Sequence, residues 1–280
     1  MERCKEIRQL LKLSPLQVKA KAGDHLRVMD DLDMLHRIFA EDMTELIRIN
    51  NANGQETNII VPVGPTGQYP YIVDIVRTEG LPLDSCRFFF MDEYCDDEGR
   101  ALTKEHPLSF KAIAQKKFIK PLRDIDALKE EQVYFPDESN LDRLEELTDD
   151  IGPLDACFGG IGIHGHVAFN EPEDGVSRMG YRKVKLNDYT VTINAIRAGV
   201  GGNLECFPTK ALTVGMKQIL SCKKIMLYCR NGTSFDWANT ILRVALLGKP
   251  GDDYPVTHIR DGNYVITTDR DTLRAPINLI

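Results

Sequence analysis

The 280-residue sequence has no apolar run near the roughly 18 residues that a membrane-spanning helix requires. Its first residues, MERCKEIRQLLKL, form a charged amphipathic stretch that lacks the apolar core of a secretory signal peptide. We therefore expect no membrane partner.

The sequence also has no excess of positive charge. The 35 lysines and arginines stand against 42 acidic residues, which gives a net charge of −7. Nucleic-acid binding needs a basic face that neutralises phosphates, so we expect no nucleic-acid partner. A small phosphorylated ligand is still allowed, because it needs only a few local donors.

Cysteine pairing motifs are absent as well. The seven cysteines are scattered, their number is odd, and none belongs to a CxxC pair. Together with the missing signal peptide, this predicts a reduced, cytoplasmic protein. No GxxxxGKS/T motif occurs, so we expect no nucleotide-binding P-loop.

What the sequence does contain is a series of short apolar runs that alternate with helical patterns, the strongest of which covers residues 31–49. The runs are typical of strands buried on both faces of a sheet. They are 58–63, 87–91, 156–161, 225–229 and 263–267. The alternation predicts an α/β fold with a mostly parallel central sheet, helices on both faces and a single domain over residues 1–280.

Three further segments carry specific expectations. Residues 173–182 are expected to form a loop. Pro208 and the two residues after it are expected to cap a helix that continues through Leu220. A further helix is expected over residues 235–247.

Polar or glycine-containing segments follow four of the predicted strands. They are residues 64–68, 92–93, 162–166 and 231–234. Parallel strands end at the same edge of a sheet, and ligands bind outside those ends, so we expect the four segments to meet at one rim.

The richest stretch is FGGIGIHGHVAFNEP, residues 158–172, in which glycines precede His164, His166 and Glu171. Its GxGxxG match does not indicate a dinucleotide site, because it lies in mid-chain and is not followed by a helical pattern. On an extended segment His164 and His166 would face the same side, a spacing that suits a metal. No further His or Cys cluster follows, so an acid–base role for at least one histidine is favoured.

Two other segments allow both a functional and a purely structural reading. Gly64, Thr66, Gly67 and Gln68 could hold an anion on backbone N–H groups and the Thr66 hydroxyl, or simply turn a strand into a helix. The Asp92-Glu93 pair follows a very apolar strand, where burial would raise a carboxyl pKa and suit a general base. We expect Asp92 to be catalytic and Glu93 to bind the substrate; a helix cap or a solvated pair is the alternative for that dipeptide.

Five segments together resemble the glucosamine-6-phosphate deaminase family, whose superfamily includes the 6-phosphogluconolactonases. They are Pro65-Thr66-Gly67, FMDEY at 90–94, KEHP at 104–107 with Ser109-Phe110, GHVAFNEP at 165–172, and ALTVG at 211–215. The resemblance implies a modified Rossmann-like three-layer fold. It also implies conversion of glucosamine 6-phosphate, or a related sugar phosphate, to fructose 6-phosphate and ammonia through ring opening and aldose–ketose isomerisation.

The resemblance further implies a role for each matching residue. Asp92 matches the base that moves a proton between C2 and C1, and His166 matches the group that assists ring opening. Glu171 matches the carboxylate partner of that histidine, while Thr66 and Gly67 match phosphate-loop positions. The family chemistry needs no metal or organic cofactor. Family members form assemblies of different sizes, so the resemblance allows a homo-oligomer but does not specify its size.

The sequence departs from the family at the histidine motif. Where the family has Gly-x-Gly-x-Asp-Gly-His, this chain has His164 in place of the aspartate. An imidazole there removes a negative charge that would favour the protonated form of His166.

The phosphate site departs as well. The loop reads Thr-Gly-Gln-Tyr-Pro at 66–70, where the family has Thr-Gly-Gly-Thr/Ser-Pro. The family lysine falls near Ser234, with Arg230 or Lys224 as substitutes, and Arg197 is the candidate for the family arginine.

Three hypotheses remain open at this point. The first is an amino-sugar phosphate isomerase or deaminase. The second is a catalytically impaired sugar-phosphate-binding paralogue or sensor, or a 6-phosphogluconolactonase-like hydrolase. A metal-dependent hydrolase built on His164 and His166 ranks below both.

Overall fold

The computed structural model of the chain describes residues 2–232 and 236–277. The strands are β1 (Leu26–Met29), β2 (Thr57–Val61), β3 (Cys86–Phe90), β4 (Asp92–Tyr94), β5 (Val133–Tyr134), β6 (Ala156–Gly160), β7 (Arg182–Lys185), β8 (Lys210–Thr213), β9 (Ile225–Cys229) and β10 (Tyr264–Asp269). The helices are α1 (Glu2–Leu11), α2 (Pro15–Ala22), α3 (Leu32–Ala52), α4 (Tyr69–Glu79), α5 (Phe110–Ala114), α6 (Lys120–Arg123), α7 (Leu141–Ile151), α8 (Asp188–Arg197), α9 (Met216–Ser221), α10 (Ala238–Leu247) and α11 (Arg270–Leu273). A π-helical turn, Gln115–Ile119, joins α5 to α6.

The centre of the molecule is a seven-stranded sheet in the order β1-β10-β9-β6-β2-β3-β5. Every neighbouring pair in it is parallel. The five apolar runs in the sequence all lie in this sheet, and the predicted mostly parallel sheet is confirmed.

The sheet separates two hydrophobic cores, because successive side chains of a strand point to opposite faces. Ile60 of β2 and Phe89 of β3 pack in the core that includes α9 and α10. Ile59 and Phe88, their neighbours in sequence, pack in the core that includes α3 and α4. Helices therefore cover both faces of the sheet, as predicted.

A second, antiparallel sheet has the order β4-β8-β7. β4 follows β3 after one residue and pairs Asp92 with Thr213 of β8. The helix predicted from residue 208 to Leu220 is therefore wrong at its start, since residues 210–213 pair with β4 and β7 and the helix begins only at Met216. The loop predicted over 173–182 likewise gives way to β7 at its last residue.

Residues that follow β2, β3, β6 and β9 lie together at the carboxyl edge of the parallel sheet and line one cavity. The segments expected after β2, β3 and β6 contribute to it, whereas directly after β9 the lining residue is Arg230, and Asn231 and Gly232 of the fourth expected segment do not line it. Residues 233 and 234 of the fourth segment, and the first residue of the helix expected over 235–247, lie outside the described residues; α10 begins at Ala238. In the part of the chain that the structure describes, no helix is long and apolar enough to cross a membrane.

Candidate active site

A cavity of about 450 Å³ opens at the carboxyl edge of the sheet. That volume lies within the roughly 300–1,000 Å³ typical of small-molecule sites. Residues after β2, β6 and β9 form its walls, together with β4 and α8. The polar and ionisable side chains that line it include Asp92, Tyr94, His166, Asn194, Arg197 and Arg230.

Asp92 is the first residue of β4 and is only 7% exposed. Burial, reinforced by the neighbouring Glu93, raises the pKa of Asp92 to about 8. No hydrogen-bond donor among the described residues offsets this rise in pKa. The Asp92 carboxyl group therefore holds its proton at neutral pH when the cavity is empty, and it is free to exchange a proton with a ligand.

Glu93, the neighbour of Asp92, does not take part in the cavity. Its carboxylate accepts hydrogen bonds from the backbone N–H groups of Phe110 and Lys111, at 2.9 and 2.8 Å, and from the Ser109 hydroxyl at 3.0 Å. These are the free donors at the start of α5, so Glu93 anchors that helix. The expectation that Glu93 binds substrate is not supported, because its oxygens are already occupied and it does not line the cavity.

His166 lines the same cavity as Asp92. The Gly162 N–H donates to the His166 carbonyl oxygen at 2.8 Å, which closes a tight loop. A Cβ atom on Gly162 would overlap the imidazole, so the ring position requires glycine there. Burial, with the nearby His164 and Arg197, lowers the pKa of His166 to about 4, and the imidazole is neutral at pH 7.

His164 lies on the other side of the motif. It lines a separate cavity of about 500 Å³ next to α1, and its Nδ1 is 3.1 Å from the side-chain nitrogen of Asn187. The expectation that His164 and His166 face the same side is wrong, because Gly165 between them has a φ of 66° and turns the chain. A direct catalytic role for His164 is thus not supported by its position.

Glu171 is buried behind the cavity wall. One carboxylate oxygen, Oε2, accepts the Asn187 backbone N–H at 2.6 Å, and burial raises the pKa of Glu171. Its other oxygen, Oε1, and Nδ1 of His166 are both buried, and neither has a hydrogen bond of ordinary geometry among the described residues, although the Thr190 hydroxyl is close enough to Glu171 to oppose the rise in its pKa. The expected His166–Glu171 hydrogen bond is therefore not formed in the structure.

The AFNEP continuation holds the histidine loop against the small sheet. The side-chain nitrogen of Asn170 donates to the Val214 carbonyl at 2.8 Å, and the Phe169 N–H donates to the Thr213 hydroxyl at 3.0 Å. Since Thr213 is paired with Asp92, these bonds tie the loop of His166 to the strand of Asp92. Ala168, which lines the cavity, has a φ of 53° that alanine adopts only with strain.

Arg197 and Arg230 make the other end of the cavity positive. Arg197 lies 3.3 Å from the Asp236 carboxylate and stacks on the ring of Trp237, while Arg230 donates to the carbonyl of its neighbour Asn231. Burial and the charge of Arg197 lower the pKa of Arg230. Two guanidinium groups held close together in a cavity favour an anionic ligand.

The glycine loop after β2 contributes only part of what was expected. Gly64 lines the cavity, but Thr66, Gly67 and Gln68 do not. The Thr66 hydroxyl accepts a hydrogen bond from Lys117 at 2.8 Å, and the buried Gln68 amide donates to the Pro65 carbonyl at 2.8 Å. Gln68 therefore braces the loop, and the bulky side chain that replaces a family glycine is accommodated inside the protein.

Sequence reasoning missed residues that other elements bring to this site. His36 of α3 packs on Gly67, and Tyr94 and Asn194, which share a 2.9 Å hydrogen bond, line the cavity. His36 and Asn194 lie in ordinary helical segments, so no local pattern marks them. Lys117, which donates to Thr66 of the loop, likewise lies in a helical segment with no local sequence pattern that indicates a site.

The described residues contain no group of three or more histidine, cysteine or acidic side chains arranged to hold a metal ion. His164 and His166 therefore gain no third ligand in the described part of the chain.

Comparisons with known proteins give a consistent set of relatives. The chain is 30% identical over 191 residues to the glucosamine-6-phosphate deaminase of Caenorhabditis elegans. The aligned region covers 64% of this chain and 67% of that protein. It is 30% identical over 193 residues to the enzyme of the same name from Phocaeicola vulgatus, with 65% and 69% covered. It is 27% identical over 214 residues to glucosamine-6-phosphate deaminase 1 of Bacillus subtilis, and that alignment covers 74% of this chain and 81% of the relative. No family model matches the chain.

Solved structures agree on the fold. A monomeric glucosamine-6-phosphate deaminase superposes with a TM-score of 0.74 at 24% identity, covering 88% of this chain and 98% of that one. The 6-phosphogluconolactonase from Trypanosoma cruzi superposes with a TM-score of 0.66 at 13% identity, covering 89% and 96%. The expected Rossmann-like fold of this superfamily is confirmed.

Proposed function

Since the chain belongs to the glucosamine-6-phosphate deaminase family, we propose that it converts a 2-amino-2-deoxy sugar 6-phosphate, glucosamine 6-phosphate in the first instance, to the ketose phosphate and ammonia. The observation that carries the proposal is that one cavity is lined by a buried acid, a neutral histidine and two arginines. These are the groups that isomerisation, ring opening and phosphate binding require.

Asp92 is the proposed base. It would take the proton from C2 of the open-chain sugar and return it to C1, while a proton of the substrate ammonium group passes to the C1 oxygen. C2 then carries an iminium group that water hydrolyses with release of ammonia. The base must be ionised, whereas burial favours its protonated form. A substrate ammonium group at C2 would lie beside the carboxyl group and favour ionisation by direct charge attraction.

His166 is the proposed ring-opening group. Ring opening moves a proton from the C1 hydroxyl to the ring oxygen, and a neutral imidazole can accept and return it. Glu171 is proposed as its partner, because Oε1 of Glu171 and Nδ1 of His166 are buried and neither has a hydrogen bond of ordinary geometry among the described residues. A carboxylate in that position would stabilise the transient imidazolium.

The phosphate group is proposed to bind at the end of the cavity formed by Gly64, Arg197 and Arg230. The two guanidinium groups supply charge-assisted hydrogen bonds that a dianion can accept. Lys224 is not needed for this proposal, since Arg230 already lines the cavity and Lys224 does not.

The test is direct. Purified protein is incubated with glucosamine 6-phosphate, and ammonia and fructose 6-phosphate are measured. Wild-type protein should release both in equal amounts, and Asp92→Asn should release neither, because an amide cannot accept the C2 proton. The assignment of the base falls if Asp92→Asn retains wild-type turnover, and the function falls if no amino-sugar phosphate is turned over.

A second candidate is a sugar-phosphate binder without turnover. It is favoured by two observations: Nδ1 of His166 has no hydrogen bond among the described residues, and His164 replaces the aspartate that the family resemblance implies. Stabilisation against heat by glucosamine 6-phosphate with no product formed would support it. A ligand at about 100 times its dissociation constant adds about 2.7 kcal/mol, which a thermal-shift measurement detects.

A further inference from the structure

Basic side chains from separate elements surround the loop of Thr66 and Gly67. His36 lies near the start of α3, Lys117 lies in the π-helical turn before α6, and Arg230 follows β9. The proposed phosphate position includes only the two arginines and Gly64. His36 and Lys117 have no role in the proposed ring opening or isomerisation.

On the premise of the proposed function, we propose that the substrate phosphate binds against the loop of Gly64 to Gly67 and that His36, which packs on Gly67 outside the cavity lining, becomes protonated as the phosphate binds. Lys117, held by Thr66, supplies the ammonium group that the loop after β9 does not provide. Binding of the dianion and uptake of one proton at His36 would then be a single coupled event.

The geometry brings His36 to the loop. Its imidazole lies directly on the backbone of Gly67, where a Cβ atom would overlap the ring. Nε2 of His36 is buried and has no hydrogen-bond partner within the described residues. An unpaired polar nitrogen is unfavourable when it is buried, and an anion against the loop would give it an acceptor.

The charges around His36 favour its neutral form while the site is empty. Burial is the largest cause that lowers its pKa, and Arg230 and Lys117 lower it further. Asp33, one turn earlier on α3, acts in the opposite direction, but it is engaged by Arg37 and by the Tyr71 hydroxyl. A phosphate dianion would add two negative charges and reverse this balance.

Lys117 completes the site from the other side of the loop. Its ammonium group donates to the Thr66 hydroxyl at 2.8 Å, and a lysine carries two further N–H donors. Arg197 and Arg230 with Lys117 make three positive charges, against which Asp236 and Asp269 are the carboxylates near the arginines. The remaining positive charge attracts an anion even before His36 is protonated.

The experiment uses sulfate, a dianion whose charge stays constant between pH 5.5 and pH 7, and follows its binding by calorimetry. Over this range Asp92, with its pKa of about 8, stays mostly protonated and contributes little. Wild-type affinity should fall several-fold from pH 5.5 to pH 7, at most tenfold per pH unit for one coupled proton. Titrations in two buffers of different ionisation heat should show proton uptake.

Two substitutions separate the contributions. His36→Gln should bind sulfate more weakly at pH 5.5 and lose both the pH dependence and the proton uptake. Lys117→Met should weaken binding several-fold at every pH while keeping the pH dependence. His25→Gln and Lys116→Met are the matched controls, and both should behave as wild type, because neither residue faces the loop.

The inference is overturned if His36→Gln, folded as judged by its unfolding transition, keeps wild-type affinity and proton uptake. Sulfate binding without pH dependence in the wild-type protein overturns it as well. Since sulfate is not turned over, these outcomes are independent of the deaminase assay. If sulfate binding is accompanied by proton uptake at His36 but no ammonia is released in the deaminase assay, the inference about His36 stands and the proposed function is contradicted.

Discussion

Substitution of Asp92 by asparagine should stabilise the folded protein, and the gain should grow with pH. Burial raises the pKa of Asp92 from 3.8 to about 8, so the folded protein holds a proton that the unfolded chain releases near pH 4. Folding therefore becomes less favourable as pH rises from about 4 to about 8 and changes no further above that. Asparagine resembles the protonated acid in shape and does not titrate.

The size of the effect follows from the same two pKa values. A tenfold change in an ionisation constant corresponds to about 1.4 kcal/mol, so the stability difference between Asp92→Asn and wild type should grow by about 1.4 kcal/mol per pH unit between pH 5 and pH 8. The interval between the pKa of the unfolded chain, 3.8, and that of the folded protein, about 8, limits the total to about 6 kcal/mol. This is a large fraction of the roughly 5–15 kcal/mol by which domains are typically stable, so a base kept in a buried site is costly to the fold.

Urea unfolding of both proteins at pH 5, 6, 7, 8 and 9 measures this difference. Asp174→Asn, a change of the same chemistry at an exposed position, serves as the control and should show no such trend. A difference between Asp92→Asn and wild type that stays constant with pH would mean that Asp92 titrates normally. A difference that shrinks with rising pH would mean that the protein stabilises the carboxylate, and either result would refute the reasoning.

Three other predictions concern the same cavity. The value of kcat/KM should rise about tenfold per pH unit up to about pH 8 as Asp92 ionises, and a profile flat from pH 6 to pH 8 would contradict its role as base. Ala168→Gly should raise the free energy of unfolding by about 0.5–1 kcal/mol, because glycine adopts the φ of 53° without strain; a loss of stability in urea would contradict this. His164→Asp should keep or raise the rate of ring opening and raise the pKa of His166, since a carboxylate replaces an imidazole nearby. An NMR titration of the His166 ring measures that pKa, and an unchanged or lower value would count against the electrostatic coupling.

The sequence predicts the central strands well for a physical reason. Strands such as β2 and β9 are buried on both faces, so most residues in them are apolar and their bounds are visible without a structure. β4 and β8 are three and four residues long, and their side chains alternate too briefly to show a period. Their pairing is specified by contacts between residues about 120 positions apart, which a local pattern does not contain.

The same distinction applies to the site. Asp92 and His166 could be placed together because both follow parallel strands, whose ends lie at one edge by topology. The direction in which the His164 side chain points could not be predicted, since it depends on the positive φ of Gly165. The position of His36 beside the loop could not be predicted either. His36 lies on a helix, and the spacing of apolar residues in that helix indicates only which side of it is buried.

The opposite pKa changes of Asp92 and His166 restrict what the cavity can activate. Asp92 is mostly protonated at pH 7 and His166 is neutral, so the base that the proposed isomerisation needs is mostly inactive until a ligand favours its ionisation. A ligand with an ammonium group next to Asp92 favours its carboxylate, while a phosphate group beside Arg197 and Arg230 offsets their positive charge. A neutral sugar supplies neither effect and leaves the acid protonated. Under the proposed function, burial of Asp92 would therefore reduce stability but tie the formation of the base to the charge pattern of an amino-sugar phosphate, which would make the buried acid a source of specificity as well as of catalysis.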